Sequence, residues 1–293
     1  MKILSFVIAL CLCQISLAQL SDGMYANAGM LSGGNVADIS KVNAGANIPL
    51  FKNDNNSFSV GFDYQLINFD YVDEDVPYAT DQIEEFYTFG PSLKYARAFG
   101  NQWNFIVKAG GMISSNYKTD NLDDSYFYNG TIVVRKVDTT ANATITFGAT
   151  YNPQYGLSSP IPVITYAKKV NEKMSYQIGV PQMYFRYHVG KVHTFSAFAK
   201  LDGFMGTFND DLEIKTENFE DTGILRQTTV LAGLGYNLKL WKNGSATLKA
   251  GKTLYNNMSI WDMDQNEVYD FDIDNSFYIN VGINWNIPNK LLD

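Results

Sequence analysis

The stretch SFYINVGINWNIP, Ser276 to Pro288, sets Phe277, Ile279, Val281, Ile283, Trp285 and Ile287 at every second position, with Asn280, Gly282, Asn284 and Asn286 between them. A repeat of two puts all the apolar side chains on one face of a β-strand, whereas a helix would scatter them around its axis. The same rhythm runs through SFSVGFDYQL, where Phe58, Val60, Phe62, Tyr64 and Leu66 oppose Ser59, Gly61, Asp63 and Gln65. It returns in YTFGPSLKYARAF, WNFIVKAGGMI, TITFGATY, VLAGLGYNLKL and GSATLKAGKTL. Such a chain is all-β, and its architecture depends on what the apolar face touches.

A soluble sandwich would bury that face against a second sheet; a membrane barrel would turn it to lipid. Several segments outrun the ~5–6 residues usual for soluble strands and match the ~9–11 that a tilted strand needs to cross a bilayer. The polar face carries Gly, Thr, Asn, Lys and Asp, suited to a wet lumen. Aromatic residues gather near strand ends (Phe69, Tyr71, Phe99, Trp103, Tyr117, Trp241, Tyr255, Trp261, Trp285), as interfacial girdles do. Tight turns at Lys52–Asn56, Gly100–Asn101, Asn171–Lys173 and Lys242–Gly244 alternate with acidic loops at Asp73–Glu85, Lys118–Ser125, Asn209–Gly223 and Asp262–Asn275. Short turns at one end and long loops at the other describe an outer-membrane barrel, closed because no strand edge survives in hydrocarbon. An exported soluble sandwich is the alternative.

Twelve strands are marked directly, starting near residues 40, 57, 85, 102, 127, 142, 160, 174, 193, 224, 244 and 274. That count leaves the loop at 209–223 on the short-turn side. Splitting the eighth segment at Val180-Pro181 restores parity: proline interrupts a ladder, and the alternation changes phase there (Tyr176, Ile178, Val180, then Met183, Phe185, Tyr187, Val189). GMYANAGML from Gly23 makes the number even. The expectation is fourteen strands, or twelve if the break is only a bulge, with both termini periplasmic.

The N-terminus reads as a secretory signal over residues 1–18. Lys2 precedes the apolar run Ile3–Leu12, and Ser16-Leu17-Ala18 supplies the small residues of a cleavage site, leaving one barrel domain over 19–293. Cys11 and Cys13 both fall in the segment to be removed, and Leu10 and Leu12 before them are too large for a lipoprotein site. An exported chain without disulfides fits a bacterial envelope. A net charge of −8 with no basic block argues against nucleic acid as a partner. The expected partner is outer-membrane lipid, with a small solute in the lumen; protein partners stay unspecified.

The segment SSPIPVITYAKKVNEKMSYQIGVPQMYFRYHVGKVHTFSAFAKLDG, Ser158 to Gly203, resembles an uncharacterised outer-membrane β-barrel domain family of the Bacteroidota. The matching positions are Pro160, Pro162, Tyr166, Tyr176, Gly179, Val180, Pro181 and Tyr187. The resemblance implies fold and location; it carries no activity and no catalytic residues.

Asp63, Lys94, Lys108, Arg186, His188, Lys200, Asp202, Lys239 and Lys249 fall on predicted inward faces. They either bias a pore toward anions or cross-link a filled interior, and the second suits a barrel of this width. His188 and His193 are the only histidines. A barrel hydrolase would need a hydroxyl beside such a base, yet nothing spaces a partner distinctively, so no enzyme, catalytic residue or cofactor is expected. Asp262, Asp264 and Asn266 echo the first half of a calcium loop, but Glu267 stands where glycine is required and Ile273 where a bidentate glutamate is, leaving a weak metal candidate. The leading expectation is passage or binding of a small solute through a polar lumen. The rival is a non-conducting structural or surface-binding barrel.

Overall fold

The computed structural model describes residues 22–72, 80, 83–100, 102–117, 125–208, 212–214, 217–219 and 223–287. The signal segment expected at 1–18 and most of the Lys118–Ser125 loop lie outside these residues. The chain runs β1 Gly23–Ser32, β2 Ala37–Lys52, β3 Asn56–Tyr71, β4 Glu85–Phe99, β5 Trp103–Ser115, β6 Tyr126–Asp138, β7 Ala143–Tyr151, β8 Ile161–Lys169 and β9 Met174–Val180. It continues with β10 Gln182–Val189, β11 His193–Phe208, β12 Leu212–Ile214, β13 Glu217–Phe219, β14 Gly223–Trp241, β15 Gly244–Trp261, β16 Glu267–Asp270 and β17 Phe277–Asn286.

Fourteen of these strands form a closed antiparallel ring. Each pairs with its neighbour in sequence, and β1 closes on β17 from Gly23↔Asn286 to Ser32↔Phe277. The short β12–β13 hairpin stands apart in the β11–β14 connection, and β16 extends the far end of β15. At Pro181 the chain turns back, and β9 pairs with β10 from Gln177↔Tyr184 to Met174↔Tyr187. The break is therefore a hairpin and not a bulge, which rules out twelve strands.

The wall is uneven in height. Strands β2, β3, β11, β14 and β15 have 16 to 19 residues, while β7 to β10 have only 7 to 9. Above the low side, β5 and β11 lean together through a single parallel bridge, Thr207↔Ser115. Asn116 N donates to Thr207 O at 3.2 Å and Ser114 Oγ to Met205 O at 2.8 Å. The connection after β7 folds in beside this crossing. Its one-turn 3-10 helix, Pro153–Tyr155, lies on β11 at Gly203, where an added Cβ would stand 2.4 Å from the Tyr155 carbonyl carbon.

Along the tall strands the hydrophobic alternation reverses at one height. Outward residues of β3 are apolar from Phe58 to Leu66 and then polar at Asn68 and Asp70, while inward residues are Ser59, Gly61, Asp63 and Gln65, followed by Ile67 and Phe69. Strand β2 does the same, with Val42, Ile48 and Leu50 outward below and Asp38 and Ser40 outward above. Below the reversal the strand divides an apolar exterior from a polar interior; above it, a polar exterior from an apolar interior. The dry part is a core of Leu31, Ile39, Ile67, Phe69, Phe86, Phe204, Phe208, Leu225, Met258 and Ile260, capped from the loops by Ile83, Phe271 and Ile273. Burying each such side chain contributes about 1.5–3 kcal/mol.

This corrects two sequence assignments. Phe69 is fully buried in that core and Tyr71 packs against it, so neither belongs to a girdle. Phe99, Tyr117, Trp241 and Tyr255 are exposed on the outside. The interior is mainly polar below the reversal and mainly apolar above it, with Gln227 buried opposite Phe204.

Candidate functional site

The polar interior is cross-linked by acids that each meet lysine. Lys94 Nζ lies 2.6 Å from Asp22 Oδ1, and Ser59 Oγ donates to the same oxygen at 2.9 Å. Lys108 Nζ reaches Asp63 Oδ2 at 3.4 Å, while Tyr25 donates its hydroxyl to the other oxygen of Asp63. Gly45 makes room for that ring, since a Cβ there would stand 2.5 Å from Tyr25 Cζ. Higher up, Asp202 takes both Lys200 and Lys41, the latter at 3.6 Å, and Lys41 also donates to Gly203 O at 3.1 Å. An amide chain runs between these nodes: Gln65 Nε2 to Asn43 Oδ1 (2.6 Å), Asn43 Nδ2 to Asn27 Oδ1 (3.2 Å), and Asn280 Nδ2 to Asn27 Oδ1 (2.8 Å). Charges removed from water persist only when paired in this way.

Two cavities lie within the described interior. A small one, about 100 Å³, lies under the dry core among Asn27, Lys41, Asn43, Tyr155, Lys200 and Asp202. A larger one, about 540 Å³, fills the short-turn half between β10, β11, β14, β15 and β17, and reaches the mouth at Asn237, Ser245 and Asn286. Lys200 and Lys249 line both, so they stand where one meets the other. In the larger cavity Arg186 stacks on Tyr184 with its guanidinium carbon 3.8 Å from the ring centroid, and Lys249 lies 5.2 Å from the Phe198 ring.

The sequence candidates therefore divide. Arg186, His188, Lys200 and Lys249 line the large cavity, Asp202 the small one, Asp63 and Lys108 a slit between β3, β5 and β7, and Lys94 the ion pair with Asp22. Lys239 sits exposed at the mouth, outside the cavity lining; its backbone N–H donates to Val192 O at 2.8 Å. His188 Nε2 lies 3.3 Å from Ser175 Oγ and Nδ1 lies 3.0 Å from Thr194 Oγ1. That order resembles a nucleophile, a base and an orienting group, but the threonine brings no charge to stabilise an imidazolium. At the opposite end Asp262 accepts from the Asn266 backbone N at 2.7 Å and from its Nδ2 at 2.8 Å. These bonds hold the carboxyl below the usual aspartate range. They close a polar turn, and Asp264 does not join it as part of a cluster of three metal-binding side chains among the described residues.

Sequence reasoning missed Asp22, Tyr25, Lys41, Tyr155 and Arg135. Lys41 had a signal, because in KVNAGAN it shares the inward parity of Asn43, Gly45 and Asn47. Arg135 is inward with Val133, and its Nε is buried without a hydrogen-bond partner. Tyr155 had none, since its position depends on a loop that packs on a strand distant in sequence.

A family model described as "Domain of unknown function (DUF6268)" matches residues 9–286. The chain belongs to this family. The DUF6268 match spans far more than the Ser158–Gly203 segment on which the sequence resemblance rested. No curated protein matches the sequence. Among solved structures, an outer membrane channel from Pseudomonas putida F1 is similar at 11% identity and a TM-score of 0.42, over 94% of this chain and 100% of that one. The TodX monoaromatic hydrocarbon channel is similar at 9% identity and a TM-score of 0.39, over 93% and 92%. Outer membrane phospholipase A from Escherichia coli is similar at 13% identity and 0.34, over 90% and 94%. Scores this low align no residue of this DUF6268 barrel with a functional residue of the others.

Proposed function

We propose that this chain is an outer-membrane barrel that binds a small solute in a lumen entered from the periplasm, and that it is neither an open channel nor an enzyme. The carrying observation is the contrast between the lumen's two ends. The short-turn half holds a polar cavity of about 540 Å³, while the long-loop end is filled by side chains such as Phe69, Phe86, Phe204 and Ile260 with 0–1% exposure. A cavity of that size lies in the ~300–1,000 Å³ range of small-molecule sites. A dry aromatic core offers no path for a hydrated solute, which supports binding over passage.

The membrane setting rests on the exterior. Phe62, Phe89, Leu93, Ile164, Phe185, Leu234 and Ile279 all point outward and are exposed, and lipid accommodates them where water does not. Export through a cleaved signal at residues 1–18, and the orientation with short turns in the periplasm, belong to the same proposal.

Cysteine labelling tests it, because Cys11 and Cys13, both in the expected signal, are the chain's only cysteines. In detergent, where both ends meet solvent, Asn237→Cys should react quickly with a small charged thiol reagent and Met258→Cys only after unfolding. Equal rates at the two positions replace binding with passage. The hydrolase reading is sunk by a His188→Ala variant that leaves every measured lipase and peptidase rate unchanged, and is adopted if such a rate is abolished.

A further inference from the structure

We infer that residues 152–160 form a lid over a side opening of the barrel, through which the small cavity exchanges its contents with the outside. Strands β7 to β10 stop low, and the registers show what they leave open. Strand β6 pairs with β7 only up to Gly130↔Tyr151, so above that point residues 126–129 pair with β5 alone among the described residues. Strand β10 meets β11 only up to Gln182↔Lys200, and above it residues 202–206 of β11 pair with β14 alone. Both bare edges lie below the Ser115–Thr207 bridge. The connection 152–160 enters the gap between them, and its 3-10 turn touches β6, β11 and β14.

The segment is built to move as one piece. Asn152 Oδ1 accepts from Gln154 N at 3.0 Å, Tyr155 N donates to Asn152 O at 3.0 Å, and Gly156 N donates to Pro153 O at 2.9 Å, all within the turn. Among the described residues a single hydrogen bond ties it to the wall, from Thr228 Oγ1 to Gly156 O at 3.1 Å. None of its side chains belongs to the dry core. A self-contained turn with so few apolar anchors lies at the low-stability end of a fold and opens without breaking the strand ladder. Close backbone contact seats it: a Cβ at Gly156, whose φ is +72°, would stand 1.9 Å from Gln227 O. Behind the turn lies the small cavity, with Asn152, Gln154 and Tyr155 in its lining. At about 100 Å³ this closed chamber is smaller than the ~150 Å³ that holds a benzene, so a larger solute passes only with the turn displaced. On the outer side Tyr126 and Tyr128 of the bare β6 edge and Ser158 and Ser159 of the lid are exposed. The lid thus gives the lumen a second, closed entrance that avoids the dry core, which goes beyond the solute-binding reading above.

The test is thiol labelling of the purified barrel in detergent with Gln65→Cys, on β3 away from the lid; Gln65 lines the small cavity and is 4% exposed. A small charged reagent should label it in the folded barrel. Adding Thr228→Val, which removes the anchoring hydroxyl, should speed labelling at 65 by about two- to tenfold, the weight of one hydrogen bond. Adding Gly203→Val instead should speed it at least as much, because the lid loses its seat. Rates at Asn237→Cys and Met258→Cys should stay unchanged in both backgrounds, and unaltered heat-modifiable migration shows that each variant is folded. Labelling at 65 that ignores both lid variants overturns the inference: the segment is then fixed wall, and the small cavity is reached through the large one. Labelling at 65 only after unfolding overturns it too, as does an equal rise at 258, which means that the whole end has loosened. The solute-binding reading is decided separately, by the contrast between 237 and 258 in the barrel without lid variants.

Discussion

Truncating Phe86 and Phe204 together should expose the energetics of the dry core. The two rings meet edge to face with centroids 5.0 Å apart, and both sides are 0–1% exposed. Each also packs on Phe69 at 6.0 Å. A buried Phe→Ala change costs about 3–5 kcal/mol, part of it for the void left behind. The edge-to-face contact itself is worth about 0.5–1.5 kcal/mol. Because the two voids merge beside Phe69, the double variant should fall short of the sum of the singles by about 1–3 kcal/mol. Urea unfolding of the four forms in detergent, followed by circular dichroism and by heat-modifiable migration, gives the cycle. Phe62→Ala and Phe89→Ala serve as controls: these rings stack at 6.5 Å on the outer surface, are 43% and 48% exposed, and leave no internal void. If the inner pair proves as mild as the outer pair, or its members are strictly additive, the end of the barrel is not packed as argued.

Three further outcomes follow from the same geometry. Arginine at Phe62 should cost about 2–4 kcal/mol and arginine at Asn68, above the reversal, about 0–1 kcal/mol, read from folding in liposomes; equal costs would remove the boundary at Leu66–Ile67. Gly203→Val should push the Pro153–Tyr155 turn off β11, because the backbone of Tyr155 fills that space; limited proteolysis within 152–160 should accelerate, and unchanged cleavage would contradict the packing. Asp262 has a depressed folded pKa, so its bonds to Asn266 stabilise the turn above the ordinary aspartate pKa and lose that effect as pH falls through the lowered value. Carboxyl NMR should show its titration move up toward the ordinary range in Asn266→Ala, which removes the side-chain donor and keeps the backbone one; no change would refute the cause.

The strand framework was legible because alternation and turn parity are local. The opening strand faces as read from Phe277 to Gly282, with Phe277, Ile279 and Val281 outward and Tyr278, Asn280 and Gly282 inward, whereas Ile283 beyond them is buried; loop parity, the proline and the phase change of the alternation together placed a turn at Pro181. The closed end was not legible. The apolar positions of β3 change phase at Leu66–Ile67, from even to odd, but the residues alone do not say that one straight strand continues through the change with the character of its two faces exchanged, so Phe69 and Tyr71 look like girdle residues although they point inward. Ile83, Phe271 and Ile273 come from loops that read as acidic, and only their return into the barrel gives them a core to join. The ion pairs were half legible. Lys94 and Lys108 were placed inward by parity, but their acids come from β3 or, for Asp22, from the residue before β1, whereas Lys200 meets Asp202 on its own strand. The His188–Ser175 contact joins neighbouring strands across a hairpin whose register the sequence left open.

Single-channel recording on the purified barrel in planar bilayers bears most directly on the sealed lumen. The wild-type protein should insert and show no steady conductance under moderate voltage, while Phe69→Ala combined with Phe204→Ala, provided it stays folded, should open measurable current by hollowing the core at its centre. A stable ohmic current from the wild-type protein would contradict the seal and make the lumen a channel.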